Sequence, residues 1–362
     1  MSKTWATERE IAAQPAIWRE WGNSLAHTAP EIRAWIVRRK PDAIWLCGAG
    51  TSAFIGDALA IHLDRDGIGN SVRAVPTTDL VARPADFLRP GLRPLVVSFG
   101  RSGNSSETRA TLDILDRLCP EADRLNITCN KSSALATREG RGPGESRAII
   151  LPDACHDQGF AMTSSYTTML LTALACLSDV PVAEIGPRIQ ALASAADRLF
   201  AAGVDLPRPE RAVFLGSGPL LGTARESALK VLELTAGRVV TSWDSTLGFR
   251  HGPKAITNAA TTVVVYLSSD PLTRKYDDDL VAEIRSQFPG TTVIAVGRPV
   301  GDGAAPDIIV DGLGEDAWNT PVCVLVAQLL AVAWSKSLNL NVDDPFGGQN
   351  LTRVVANVRI HA

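Results

Sequence analysis

A chain of 362 residues, 45% of them hydrophobic, is long enough for two ordinary domains, each with a full core. A formal charge of −3 at neutral pH gives no reason to expect nucleic acid or an acidic membrane surface as a partner. The opening MSKTWATEREIAAQP is charged and lacks the apolar run of a signal peptide. The longest apolar run, Pro321 to Trp334, contains Gln328 and reads as a buried helix, so no membrane span is expected.

Residues 1–40 carry a helical pattern through Ile11, Trp18, Trp21, Leu25, Ile32, Trp35 and Ile36, with Pro15 and Pro30 predicted as joints. A strand at Ala43–Cys47, a turn at Gly48-Ala49-Gly50-Thr51-Ser52 and a helix through Leu63 follow. Further strands are predicted near Ser71–Val75 and at Pro94–Ser98, the second leading into Phe99-Gly100-Arg101-Ser102-Gly103-Asn104-Ser105-Ser106 and a helix through Leu118. Leu125–Cys129 reads as a strand, Lys131–Thr137 as a short helix, Arg138–Glu145 as a polar loop and Ala148–Leu151 as a strand. A long apolar helix runs from about Ser164 to Leu177. Strands alternating with helices predict an α/β fold with a parallel sheet covered on both faces.

The second half repeats this order. Ala212–Leu215 answers Ile44–Cys47, Thr262–Leu267 answers Leu95–Ser98, Thr291–Val296 answers Leu125–Cys129, Asp307–Val310 answers Ala148–Leu151, and Pro321–Trp334 answers the helix at 164–177. The chain thus reads as a helical lead-in (1–40), two copies of one unit (41–198 and 199–345, joined near Ala201–Pro209) and a tail (346–362). The copies have specialised. The second copy's loop, Ser268-Ser269-Asp270-Pro271, is poorer in Gly and adds a negative charge.

Ligands of open parallel sheets bind at the carboxyl ends of strands. Three segments of the first copy reach that edge with backbone N–H groups and hydroxyls at helix starts: Gly50, Thr51 and Ser52; Arg101, Ser102, Gly103, Asn104 and Ser105; and Thr163, Ser164 and Ser165. Each is also ordinary capping chemistry. No dinucleotide or triphosphate fingerprint is present, so a single phosphate on a small molecule fits better. Cys47, Cys119, Cys129, Cys155, Cys176 and Cys323 form no CxxC pair and read as reduced core thiols of a cytoplasmic protein. Cys155-His156-Asp157 is suggestive of a metal only as a string, because adjacent residues rarely chelate one ion; no metal is expected.

After strand Ala212–Leu215 and the break at Gly216-Ser217-Gly218, a helix carries Glu226, Lys230 and Glu233 at i, i+4 and i+7. Two readings stand side by side: an ion pair on a solvated face, or an acid/base carboxylate beside a lysine in a polar cleft. A loop without helical period and then Phe249-Arg250-His251-Gly252-Pro253-Lys254 favour the second, since a His before Gly-Pro is fixed in a turn. A lysine, carboxylates and a histidine near a monophosphate site point to proton transfer on a sugar phosphate, with no cofactor.

Tandem units with GxGTS, a Ser-x-Ser-Gly-type loop, E-x-A-L-K-x-x-E and H-G-P resemble sugar isomerase (SIS) domains, including the isomerase half of glucosamine-6-phosphate synthase. Ser98–Ser105, Gly159–Ser165, Leu247–Lys254 and Asn341-Val342-Asp343-Asp344-Pro345 resemble the AgaS-type branch in particular. The resemblance implies two doubly wound, flavodoxin-like α/β/α domains. It also implies a ketose/aldose isomerase or deaminase acting on a hexosamine 6-phosphate, galactosamine 6-phosphate with glucosamine 6-phosphate as the alternative, and a homodimer with its active site at the subunit interface. By motif position, Glu233 matches the carboxylate that moves a proton between C1 and C2. Lys230 and Glu226 match its neighbours, and His251 matches a ring-opening histidine reaching in from the other subunit. Thr51, Ser52, Ser102 and Ser105 match phosphate-loop hydroxyls, and the tail is expected near the active site. Gly100 and Arg101 depart from the synthase's serine and glutamine, and Arg353 is the nearest cation where the synthase tail has a lysine. The rival of another class is a sugar-phosphate sensor without turnover; retention of Glu233 and His251 favours the enzyme.

Overall fold

The computed structural model describes residues 4–68, 71–300, 304–349, 351–355 and 358–361. One long helix, α1 (Ala6–Arg39), leads into β1 (Ala43–Cys47), α2 (Thr51–Asp66), β2 (Ser71–Ala74), α3 (Thr77–Ala82), β3 (Pro94–Gly100), α4 (Ser106–Leu118), β4 (Asp123–Thr128), α5 (Ala134–Thr137) and β5 (Ser146–Ile150). Two helices, α6 (Ser164–Leu177) and α7 (Val182–Ala202), precede the second series. That series is β6 (Arg211–Leu215), α8 (Pro219–Leu234), β7 (Val240–Asp244), α9 (Thr246–Phe249), β8 (Thr261–Tyr266), α10 (Pro271–Gln287), β9 (Thr292–Gly297), β10 (Ile308–Ile309) and α11 (Asp316–Ser337).

The strands form two five-stranded sheets, β2-β1-β3-β4-β5 and β7-β6-β8-β9-β10, in which every pairing is parallel. Both follow the order 2-1-3-4-5 of flavodoxin-like sheets. Registers correspond as well: Trp45 pairs with Arg73 and Val96, and Phe214 with Trp243 and Val264. Every residue of β3, β4 and β8 is buried, as central strands covered on both faces require. The repeat read from the sequence is therefore two α/β sheet domains of one topology.

Packing sorts the chain into two compact units, each gathered from more than one segment. The first unit holds the first sheet and comprises Arg19–Asp157, Ser164–Pro187 and the tail from Thr352. The second unit holds the second sheet and comprises the segment up to Trp18, Gln158–Thr163 and Arg188–Leu351. All fourteen residues of α6 are buried in the first unit. In the second unit α11, although long and apolar enough to cross a membrane, has 89% of its apolar window buried and packs against α8 as a core helix.

Two expectations need correction. Pro15 and Pro30 do not break α1, which runs unbroken for 34 residues. At Pro15 the reason is local. The ring leaves the Ile11 carbonyl without its helical donor, and Gln14 Nε2 supplies one instead, 3.3 Å from that oxygen and 2.7 Å from Gln328 Oε1. The second correction is β7, which the sequence presents as a loop. Among the described residues it is an edge strand paired only with β6. Val240 and Trp243 are 53% and 41% exposed, so no alternation of buried and exposed residues marks it.

The N-terminus of α1 is held within the second unit. The Asp343 carboxylate accepts from the Ala6 and Thr7 backbone N–H groups at 2.8 and 2.9 Å and from Thr7 Oγ1 at 2.8 Å. The Asp-Asp-Pro motif is thus, in part, a helix cap.

Candidate active site

In the order 2-1-3-4-5 the topological switch lies between β1 and β3. Their following helices, α2 and α4, depart toward opposite ends of the sheet, which leaves a crevice at the carboxyl ends of the strands. At its β1 side Gly50 adopts φ 54°, ψ −131°, a conformation open in practice to glycine alone, and turns the chain directly into Thr51 and Ser52. The N-cap residue, a glycine, offers no side chain to close α2.

The β3 side is braced from within. Ser102 Oγ accepts from the Asn104 N–H at 3.3 Å, and Asn130 Nδ2 donates to the Ser102 carbonyl at 3.1 Å. Gly103 has φ 61°, and a Cβ there would sit 2.4 Å from Ser133 Oγ. Asn104 Oδ1 accepts from the Ala134 N–H and from Arg109 Nη2 at 2.9 and 3.2 Å. Ser105 caps α4, accepting from the Thr108 N–H at 3.2 Å. Arg101 is buried and donates to the Arg353 carbonyl at 3.0 Å. The tail continues over the same loop, with the Ser106 N–H on the Val355 carbonyl at 3.4 Å and the Val358 N–H on Ser106 Oγ at 3.2 Å. His156 feels these cations. Burial first, then Arg353 and Arg101, lower its pKa and hold it neutral at physiological pH. The sequence offered His156 only as part of a metal-like string; its place beside two arginines comes from tertiary packing.

The third hydroxyl-rich segment is different. Asp157 accepts from the Ser164 and Ser165 N–H groups at 2.9 and 3.0 Å and from Ser165 Oγ at 2.5 Å, so the chain's own carboxylate occupies the start of α6. Thr163 belongs to the second unit, not to that of Ser164 and Ser165.

The second unit repeats the crevice and fills it. Gly218, with φ 57° and ψ −129°, reproduces Gly50. On the β8 side, Asp270 caps α10 through the Leu272 and Thr273 N–H groups at 3.1 and 2.8 Å. Asp316 takes the Ser269 N–H at 2.6 Å and Ser268 Oγ at 2.5 Å, and Asp277 takes the Ser268 N–H at 2.8 Å. Burial raises the pKa of Asp277 to about 6. Three carboxylates stand where an external anion would otherwise bind, as the extra aspartate of this loop foreshadowed.

The helix stripe is not a solvated face. Glu226 and Lys230 are wholly buried, and the Glu233 side chain is 24% exposed. Lys230 Nζ lies 2.6 Å from Glu233 Oε2 and 3.4 Å from Glu226 Oε1. Glu233, held by the buried lysine and 24% exposed, is oriented and within reach of a small molecule, a placement that suits a general base. His251 lies outside this cluster. It follows α9 on an exposed turn, its backbone N–H on the Gly248 carbonyl at 2.9 Å. Phe249 is buried, while Arg250 Nε reaches Glu283 of α10 at 2.7 Å and Lys254 Nζ reaches the same carboxylate. Leu232, Val240, Trp243 and Leu247, on α8, β7 and α9, are each 41–53% exposed.

Comparison with known proteins agrees with this architecture. The SIS domain model matches residues 39–178. An AgaS protein of Streptomyces coelicolor is 45% identical over 98% of this chain and 95% of its own. The D-galactosamine-6-phosphate deaminase AgaS of Escherichia coli is 41% identical over 99% and 96%. The crystal structure of tagatose-6-phosphate ketose/aldose isomerase from Escherichia coli superposes with a TM-score of 0.87 at 38% identity, covering 99% of this chain and 96% of that one. With relatives this similar along nearly its whole length, the chain belongs to the AgaS family of SIS-domain sugar-phosphate enzymes.

Proposed function

We propose that the chain converts galactosamine 6-phosphate to tagatose 6-phosphate and ammonia. The observation that carries this reading is the Glu226–Lys230–Glu233 stripe, buried except for Glu233, in a chain so similar to AgaS deaminases. The sugar's phosphate binds at Thr51, Ser52, Ser102 and Ser105, where the starts of α2 and α4 and the Arg101 guanidinium favour an anion. His251 protonates the ring oxygen as the anomeric hydroxyl gives up its proton, and the pyranose opens. Glu233 then takes the C2 proton, as the substrate's ammonium group passes one to O1, to give an enolamine, and returns its own at C1. Water attacks the resulting C2 ketimine, and the C–N bond breaks to leave the ketose and ammonia. Lys230 keeps Glu233 aimed through the 2.6 Å ion pair. No cofactor enters this scheme.

His251 is donated by a second copy of the chain, in a homodimer. Its exposure and the apolar side chains of Leu232, Val240, Trp243 and Leu247 on neighbouring elements support this. Six free, buried cysteines support a reducing, cytoplasmic location.

The test is release of ammonia and ketose phosphate from galactosamine 6-phosphate beside glucosamine 6-phosphate, for the wild type and Glu233→Gln. The variant should lose on the order of 10²–10⁴ in kcat; full activity would remove Glu233 from its role. The similarity to a tagatose-6-phosphate ketose/aldose isomerase structure favours a second reading, plain isomerisation. Ketose formation from an aldose 6-phosphate, without ammonia release from either amino sugar, would establish it instead. Turnover of none of these sugars would point to a sensor.

A further inference from the structure

The His251 turn has little of its own to hold it in place. His251 is exposed, and among the described residues its side chain makes no ion pair or hydrogen bond. The next residue, Gly252, sits at φ 124°, which gives the backbone freedom just where the imidazole must be aimed. Three neighbours anchor the turn. Phe249 is buried in a core that includes Leu280 and Ile284 of α10. Arg250 Nε is 2.7 Å from Glu283 Oε2, and Lys254 Nζ bonds Glu283 Oε1. Lys254 Nζ also reaches Gln287 Oε1, one turn further along α10, at 3.0 Å. One carboxylate, on a helix fixed in the core, therefore grips the turn on both sides of His251. The two cations hold that carboxyl below the usual range.

We propose that Glu283 is a positioning residue for His251: by binding Arg250 and Lys254 at once it fixes the turn that presents the imidazole to the substrate ring. This rests on the ring-opening role given to His251 above. Without the carboxylate, two cations four residues apart would repel across a glycine hinge, and the imidazole would sample positions in which it does not reach the ring oxygen. A misplacement of this kind costs on the order of ten- to a hundredfold in rate. Partly exposed ion pairs add little to stability, so the defect should appear in kinetics and not in melting.

The experiment compares the full-length wild type, Glu283→Gln, Glu283→Asp and His251→Asn on galactosamine 6-phosphate and on the same sugar deuterated at C2. Slow ring opening masks the later C–H cleavage. Glu283→Gln should therefore lower kcat about ten- to a hundredfold, hold KM within about twofold, and drive the C2 deuterium isotope effect toward one. Its thermal midpoint should match the wild type's. His251→Asn should do the same more severely. Glu283→Asp, which keeps the charge at shorter reach, should recover part of the rate. A Glu283→Gln enzyme with wild-type kcat and isotope effect, beside a crippled His251→Asn, would overturn the role of Glu283 alone. A joint fall in kcat and melting temperature with an unchanged isotope effect would make Glu283 merely structural and would also overturn it. Full activity in His251→Asn would remove the ring-opening assignment, and this inference with it.

Discussion

Replacing Lys230 by Met gives the sharpest test of the helix stripe. The lysine is wholly buried, and so is Glu226, 3.4 Å from its Nζ; Glu233 is the only member of the stripe that reaches solvent. Removing one partner of a buried pair strands the other as an uncompensated charge, at a cost of about 3–5 kcal/mol. Met nearly preserves the volume, so no cavity contribution of note is added. For a unit of this size, with a urea m-value of about 2–3 kcal/mol/M, the midpoint of the second unit's unfolding should fall by roughly 1–2.5 M. Trp243 and Trp334 both belong to that unit, and their fluorescence follows the transition. Adding Glu226→Gln removes the stranded charge and should restore most of the loss. The double variant should nonetheless remain catalytically poor, because Glu233 has lost the ammonium 2.6 Å away. A single variant within about 1 kcal/mol of wild type, against the 3–5 expected of a buried pair, would show that the stripe is solvated in solution and would remove the physical case for an oriented base.

Three further outcomes are expected. The Asp277 carboxyl has its pKa raised by burial from 3.8 to about 6, so the folded state holds that proton more tightly than the unfolded chain. Its ionisation then costs on the order of 2–3 kcal/mol above pH 6, and the second unit should gain stability as pH falls from 6 toward 4. Asp277→Asn should remove that slope in denaturation midpoints taken across this range, while its amide oxygen still accepts from Ser268. Ser105→Ala removes the cap from α4 and should cost about 1 kcal/mol of stability, with KM for the sugar phosphate rising more than kcat falls in steady-state assays. Burial pushes the Cys176 thiol up to about 12 and the Cys47 and Cys323 thiols higher still. These thiols should therefore react with a disulfide reagent only at the rate at which the protein unfolds, as read by absorbance in native and denaturing buffer.

Much of this was legible from residue pattern. Central strands buried on both faces announce themselves as apolar runs, and β1, β3, β6 and β8 fell where those runs lie. The repeat was visible because apolar runs recur in the same order in both halves, and the structure adds that Gly50 and Gly218 adopt the same backbone conformation. What the sequence hid depends on distant partners. An edge strand with exposed Val240 and Trp243 carries no burial period. The fate of Pro15 turned on a glutamine one residue before it. The serines at the start of α6 looked like ligand donors until Asp157, seven residues before Ser164, proved to hold them. Spacing placed Glu226, Lys230 and Glu233 on one stripe; only packing made that stripe buried, because no local signal distinguishes a covered helix face from a wet one once it carries charges.

The two switch-point crevices have one further consequence. The copy closed by Asp270, Asp277 and Asp316 brings its own counter-ions, whereas in the function proposed above the copy at Thr51 and Ser102 takes its anion from the substrate. At a hundred times its dissociation constant, a phosphate ester bound in that way would add about 2.7 kcal/mol to the fold. A starved cell would thus hold a softer molecule, and substrate would firm it.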